Sequence, residues 1–150
     1  MVRGTLDLYT GPGKPDLLVT HGEAGKDIDG SEALGTFTAS DYHVSYAGKE
    51  DQIKPGMTLE QIEDLGTWNI TGGTLTLDSS LTISIQNKST IGTALHELGH
   101  ANQAARQPLQ YKRDAAVERS PNGKVIPHDE RPSEKVADKY RDQALREVRP

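Results

Sequence analysis

The stretch TALHELGHANQ, residues 93–103, decides how the rest of the chain is read. It holds two of the five histidines, His96 and His100, four residues apart, with Glu97 directly after the first. Ser89 or Thr90 can cap a helix ahead of it, and Pro108 stops one behind it. The spacing therefore predicts a helix from about residue 90 to Gln107. On a helix, residues i and i+4 share a face, one turn apart. His96 and His100 then aim two imidazole nitrogens at one point, as a tetrahedral Zn²⁺ ion requires. Glu97 falls at the edge of that face, within reach of a metal-bound water but not of the metal. The ion lowers that water's pKa towards about 7, and a carboxylate so placed takes the proton as general base. Gly99 costs a helix interior about 0.8–1 kcal/mol relative to alanine, which marks a point where a strand or a substrate backbone comes close.

Upstream, TLTLDSSLTISIQ (residues 74–86) alternates strictly, with Leu75 and Leu77, then Leu81, Ile83 and Ile85, around Asp78-Ser79-Ser80. A period of two broken by a short polar turn predicts a β-hairpin with one buried face. Its second arm, Leu81–Ile85, is an edge strand that can receive an extended peptide by β-addition. Before it, Thr58–Leu65 reads as a short helix, with Thr58 and Gln61 forming a capping box and Gly66 as the stop. Twelve of the fifteen glycines precede residue 74, so residues 1–73 read as loop-rich, with strands at Leu6–Thr10, Leu17–Thr20 and Tyr42–Tyr46. After Pro108 the chain is polar and irregular to residue 130. A last helix starts at Pro132 and carries Val136, Ala137, Tyr140 and Ala144 at helical spacing. The predicted class is α+β: an antiparallel or mixed sheet with a hairpin packed on the central helix, plus a C-terminal helix, in one domain over residues 1–150. Residues 74–150 form the catalytic core of that reading.

Composition narrows the chemistry. At 150 residues and 33% hydrophobic, with one Trp and one Phe, the chain suits a single domain with a modest core. It has no cysteine, which excludes disulfides, thiolate metal sites and cysteine nucleophiles. Any transition metal must be held by His, Asp and Glu. No run approaches the ~18 apolar residues of a membrane span, and the N-terminus carries no secretory signal. The expected location is the cytoplasm, or a larger secreted effector from which this domain is excised; the sequence does not assign one. The net charge is −5, and the tail EKVADKYRDQALREVR alternates in sign as a solvated, ion-paired helix face. It lacks the basic block with interleaved aromatics of a nucleic-acid site.

The HELGH motif resembles that of the zincin metallopeptidases, which carry it on an active-site helix beside an edge strand. The metzincin extension is absent, because Gln103 and Arg106 stand three and six residues after His100. RPSEKVADKY (residues 131–140) is similar to the later helix of the gluzincins, including compact peptidases of the ImmA/IrrE type. The resemblance covers about residues 74–145. It implies Glu134 as the third zinc ligand, Asp138 as acceptor of a ligand histidine's other N–H, and the small Ala137 as the point where two helices approach. His128 and Asp129 are alternative ligands, and Asp114 and Glu118 are more remote ones. The same resemblance implies a Tyr or His donor to the oxyanion: Tyr111 first, His128 second. His21 and His43 read as surface or packing histidines.

The expected function is peptide-bond hydrolysis by a zinc-activated water, with Glu97 as general base and a peptide or protein as substrate. The rival readings are a non-catalytic domain that keeps zinc for structure or recognition, and a zinc hydrolase of a non-peptide bond. A purely structural zinc normally takes four protein ligands, often with cysteine.

Overall fold

The sheet is assembled by pairing between distant segments rather than between chain neighbours. A computed structural model describes residues 1–82 and 87–148. Its strands are β1 (Asp16–Gly22), β2 (Gly35–Ala39), β3 (Tyr42–Ser45), β4 (Thr67–Ile70) and β5 (Gly72–Asp78). Its α-helices are α1 (Val2–Leu6), α2 (Leu59–Leu65), α3 (Lys88–Arg106), α4 (Pro108–Ala115) and α5 (Pro132–Val148). β5 runs down the middle of a three-stranded mixed sheet, parallel to β1 and antiparallel to β2. β3 and β4 form a separate antiparallel pair. The class is α+β, as the element pattern predicts.

β5 shows why the alternation around residue 75 was legible and the hairpin was not. Leu75 and Leu77 are buried as the period of two requires. Yet both edges of β5 are taken, by β1 and β2. The turn itself forms, with Leu81 N–H donating to Asp78 O at 3.0 Å. Ile83 and Ile85 lie outside the described residues. Gly73 admits β2 because a Cβ there would fall 2.5 Å from the Phe37 ring.

Other expectations divide. β1 and β3 cover the predicted strands, although β3 stops at Ser45 rather than Tyr46. The predicted strand Leu6–Thr10 is instead the end of α1 and a turn, which sends Tyr9 into the core with its hydroxyl donating to Ala101 O at 2.5 Å. α2 carries the predicted capping box. Gly66 is not a left-handed stop, since its φ is −79°; it is small because a Cβ would lie 2.5 Å from Val44 Cγ2. α3 begins earlier than predicted, at Lys88, because the Asn87 side chain caps it by accepting from Thr90 N–H at 3.1 Å. The stretch expected to be irregular after Pro108 contains α4, with that proline in its first turn.

α3 is the centre of the molecule. Ala101 and Ala104 on it, and Ala137 and Ala144 on α5, are fully buried, so the two helices meet through small side chains. A Cβ on Gly99 would stand 2.9 Å from Ala137 Cα and 3.1 Å from Ala137 O. The backbone that approaches Gly99 is thus that of α5, not of a strand. No helix among the described residues is long and apolar enough to cross a membrane.

Candidate metal centre

The crossing of α3 and α5 brings the two halves of the motif together. Glu134, in the first turn of α5, turns its carboxylate towards both histidines of α3. Its Oε2 lies 2.6 Å from His96 Nε2, and its Oε1 lies 3.2 Å from His100 Nε2. One turn along α5, Asp138 Oδ1 lies 2.8 Å from His96 Nδ1. A third imidazole joins from the short 3-10 turn His128–Glu130: His128 Nε2 is 3.1 Å from Glu134 Oε2. Glu134 and Asp138 therefore both stand against His96, and His128 joins them at Glu134.

The donor set suits a cation. Asp138 can only accept, so it holds a proton on His96 Nδ1. In a neutral imidazole the lone pair of Nε2 then faces the Glu134 carboxylate at 2.6 Å, acceptor against acceptor. A proton or a metal ion has to lie between them. Without a metal, protons do this work. Burial opposes a charge on His96, but its hydrogen bond to Glu134 and the nearby carboxylates Glu97, Glu134 and Asp138 outweigh it and raise its pKa. His128 is pushed up to about 9, chiefly by its hydrogen bond to Glu134, against partial burial. Burial pushes Glu134 up, yet its contacts with His100, His128 and His96 overcome this and hold it far below the usual carboxylate range. Three nitrogens gathered on one carboxylate are a set of N and O ligands that zinc favours. Two groups of ligand atoms lie within 4.8 Å of one another: His96 with His128 and Glu134, and His96 with Glu97 and His100.

Glu97 is buried at 5% exposure. Desolvation raises its pKa, and the charges of His100 and His96 pull the other way. The first residue of β2 lies directly against it: a Cβ on Gly35 would come within 2.9 Å of Glu97 Cγ. Two cavities open beside the site, of about 510 and 280 Å³, and both are bordered by Gly35, Glu97 and His128. Tyr111 lines the smaller one with His100 and Glu134, its ring 6.1 Å from that of His100. Burial holds its phenol well above the ordinary range, so it stays a proton donor. Among the described residues no partner engages its hydroxyl.

Among the described residues, β2 presents a free edge to this site. Asp78 N–H donates to Leu34 O, and Ser40 N–H to Gly72 O. Even-numbered residues of the strand therefore pair with β5. The backbone groups of Gly35, Phe37 and Ala39 point the other way, and no strand among the described residues covers them.

The remaining candidates are elsewhere. Asp129 is exposed and belongs to neither ligand group. Asp114 accepts from Gln103 and Gln110. Glu118 borders the smaller cavity without entering a ligand group. His21 contacts Leu81 O on the exposed side of β1, and His43 is exposed on β3. Two residues at the site escaped sequence reasoning. Arg131 clasps Asp27 through both guanidinium ends, at 2.7 and 2.9 Å, and Asp27 Oδ2 also lies 3.7 Å from His128 Nδ1. This pair ties the loop before β2 to the base of α5. Asp27 sits in a loop with no periodic signal, 104 residues from its partner. The chain was compared with protein-family models, curated proteins and solved structures, and none of them matches it.

Proposed function

We propose that the chain is a zinc-dependent peptidase that hydrolyses peptide bonds with Glu97 as general base. The observation that carries this reading is the meeting of His96, His100 and Glu134, with Asp138 behind His96 and Glu97 buried alongside. His96, His100 and Glu134 would hold the ion. Bound there, zinc polarises a carbonyl and makes water nucleophilic near neutral pH. Glu97 takes the proton from the attacking water and delivers it to the leaving amine as the C–N bond breaks. Its desolvated surroundings raise its pKa and so favour the first transfer, from water to the carboxylate. The Tyr111 hydroxyl, or His128, donates to the oxygen that gains charge.

The substrate strand of this proposal is β2, in place of Leu81–Ile85. The outward backbone groups of Gly35 and Phe37 can pair with an extended peptide and lay it over Glu97. Gly35 keeps that approach open.

The test is metal content and peptide hydrolysis in the same preparations. Wild type should bind one zinc and cleave an unbiased peptide library. Glu97→Gln should keep zinc and lose cleavage, and Glu134→Ala should lose zinc. Full zinc in Glu134→Ala, or undiminished cleavage by Glu97→Gln, would falsify the assignment.

A second reading draws on His128. With its nitrogen 3.1 Å from Glu134, it supplies a fourth protein ligand and closes the site as a non-catalytic zinc element. His128→Ala separates the two. A closed site loses zinc affinity, whereas an open one keeps it.

A further inference from the structure

We propose that Gln103 and Asp114 form a positioning chain behind His100, Gln103 Oε1 accepting a hydrogen bond from Nδ1–H and Asp114 fixing the glutamine amide. The inference rests on the metal-centre reading and supplies the part of it that is missing. His96 has its acceptor in Asp138. His100 has none: its Nδ1 is buried and finds no partner among the described residues. Yet its Nε2 faces Glu134, so Nδ1 is the nitrogen that must carry the proton in a neutral ligand.

The second observation is a complementary orphan one turn away. Gln103 is 4% exposed, and its Oε1 is likewise buried without a partner. Residues three apart on a helix are neighbours. The orientation of this amide is not free. Its Nε2 donates to Asp114 Oδ2 at 2.8 Å, and since a carboxylate can only accept, the amide must offer its N–H there, which leaves Oε1 turned away from Asp114. Asp114 is itself held, because Gln110 Nε2 donates to its other oxygen at 2.7 Å. One buried donor and one buried acceptor therefore stand on adjacent turns of α3, each costly if left unmade. A small rotation of Gln103, or one buried water between the two atoms, satisfies both. The proton then stays on Nδ1 and the lone pair of Nε2 stays aimed at the metal. Asp114, weighed from sequence as a remote ligand, acts through Gln103 instead, and α4 becomes the support of a ligand on α3.

The experiment compares wild type with Gln103→Met, Asp114→Asn and the double variant Gln103→Glu, Asp114→Asn. Zinc affinity is read by chelator competition, the Co²⁺-substituted site by its visible absorption, and the metal-free proteins by thermal unfolding. Gln103→Met fills the space without an acceptor and should weaken zinc about 10–100-fold and shift the cobalt spectrum. Gln103→Glu joined to Asp114→Asn restores an acceptor, with the new amide at position 114 as the donor, and should recover most of that affinity. Asp114→Asn, at a partly exposed position, should weaken zinc in the same direction if Gln103→Met does not fold. Wild-type affinity and an unchanged cobalt spectrum in Gln103→Met, even with lower thermal stability, would show a packing role and overturn the proposal. So would a doubly substituted Gln103→Glu, Asp114→Asn protein as weak as Gln103→Met. NMR of the metal-free wild type separates this failure from that of the metal centre. A slowly exchanging Nδ1 proton on His100, close to the Gln103 amide, supports the chain whether or not zinc binds. A fast-exchanging one overturns it.

Discussion

Gly99 and Gly35 both admit a neighbour to the site, and they differ in what that neighbour is. At Gly99 the added Cβ would meet backbone, Ala137 Cα at 2.9 Å, in a contact between two long helices. At Gly35 it would meet side chains, Thr93 Cγ2 at 2.8 Å and Glu97 Cγ at 2.9 Å, at the start of a five-residue edge strand. The first contact sets where His96, His100 and Glu134 stand relative to one another. The second sets where the Glu97 carboxylate stands beside β2. Backbone cannot yield without moving a helix, whereas a side chain can swing aside. Metal binding and turnover should therefore fail separately when the two regions are disturbed.

Glu97→Gln gives the largest separation. Cleavage should fall by about 10²–10⁴-fold, as loss of a general base does, with zinc content unchanged. Gly99→Val breaks the helix contact. It should cost about 1–3 kcal/mol of stability, measured by urea unfolding, and lower zinc content with it. Gly35→Val should instead spare zinc and reduce kcat, because Glu97 is displaced; equal loss of zinc in both variants would erase the distinction. Asp138→Asn should weaken zinc by about 10–100-fold in chelator competition, with the fold intact.

The loop before β2 gives the smallest effects. Asp27→Asn breaks the clasp on Arg131 and should raise KM for peptides more than it lowers kcat, since it loosens the wall of the larger cavity and leaves the ligands alone. In metal-free protein, His128 adds a pH dependence. Its pKa rises from 6.5 to about 9 on folding through its hydrogen bond to Glu134. A group with a raised pKa stabilises fully below its unfolded value and loses that contribution as pH climbs through the folded one. The urea midpoint of the metal-free chain should fall between about pH 6.5 and 9, and His128→Gln should flatten the slope.

What was legible came from short-range periodicity. An i, i+4 pair of histidines, an i, i+4 pair of carboxylates and a capping box each state their geometry within a turn of helix. The elements α2, α3 and α5 follow from such signals. The hairpin misled because alternation marks a half-buried strand but not its partner. β5 found β1 some fifty residues earlier in parallel register, and β2 in antiparallel. α4 was missed because Pro108, read as a stop, opens a new helix just as readily.

By itself, then, the sequence determined the faces of α3 and α5 that carry His96, His100, Glu134 and Asp138, since a helix places residues by local hydrogen bonding alone. The tertiary structure decided the rest. It set Glu134 beside three imidazoles, joined Asp27 to Arg131 across the chain, and placed β2 against Glu97. Those outcomes depend on which surfaces bury each other, and no local spacing encodes that.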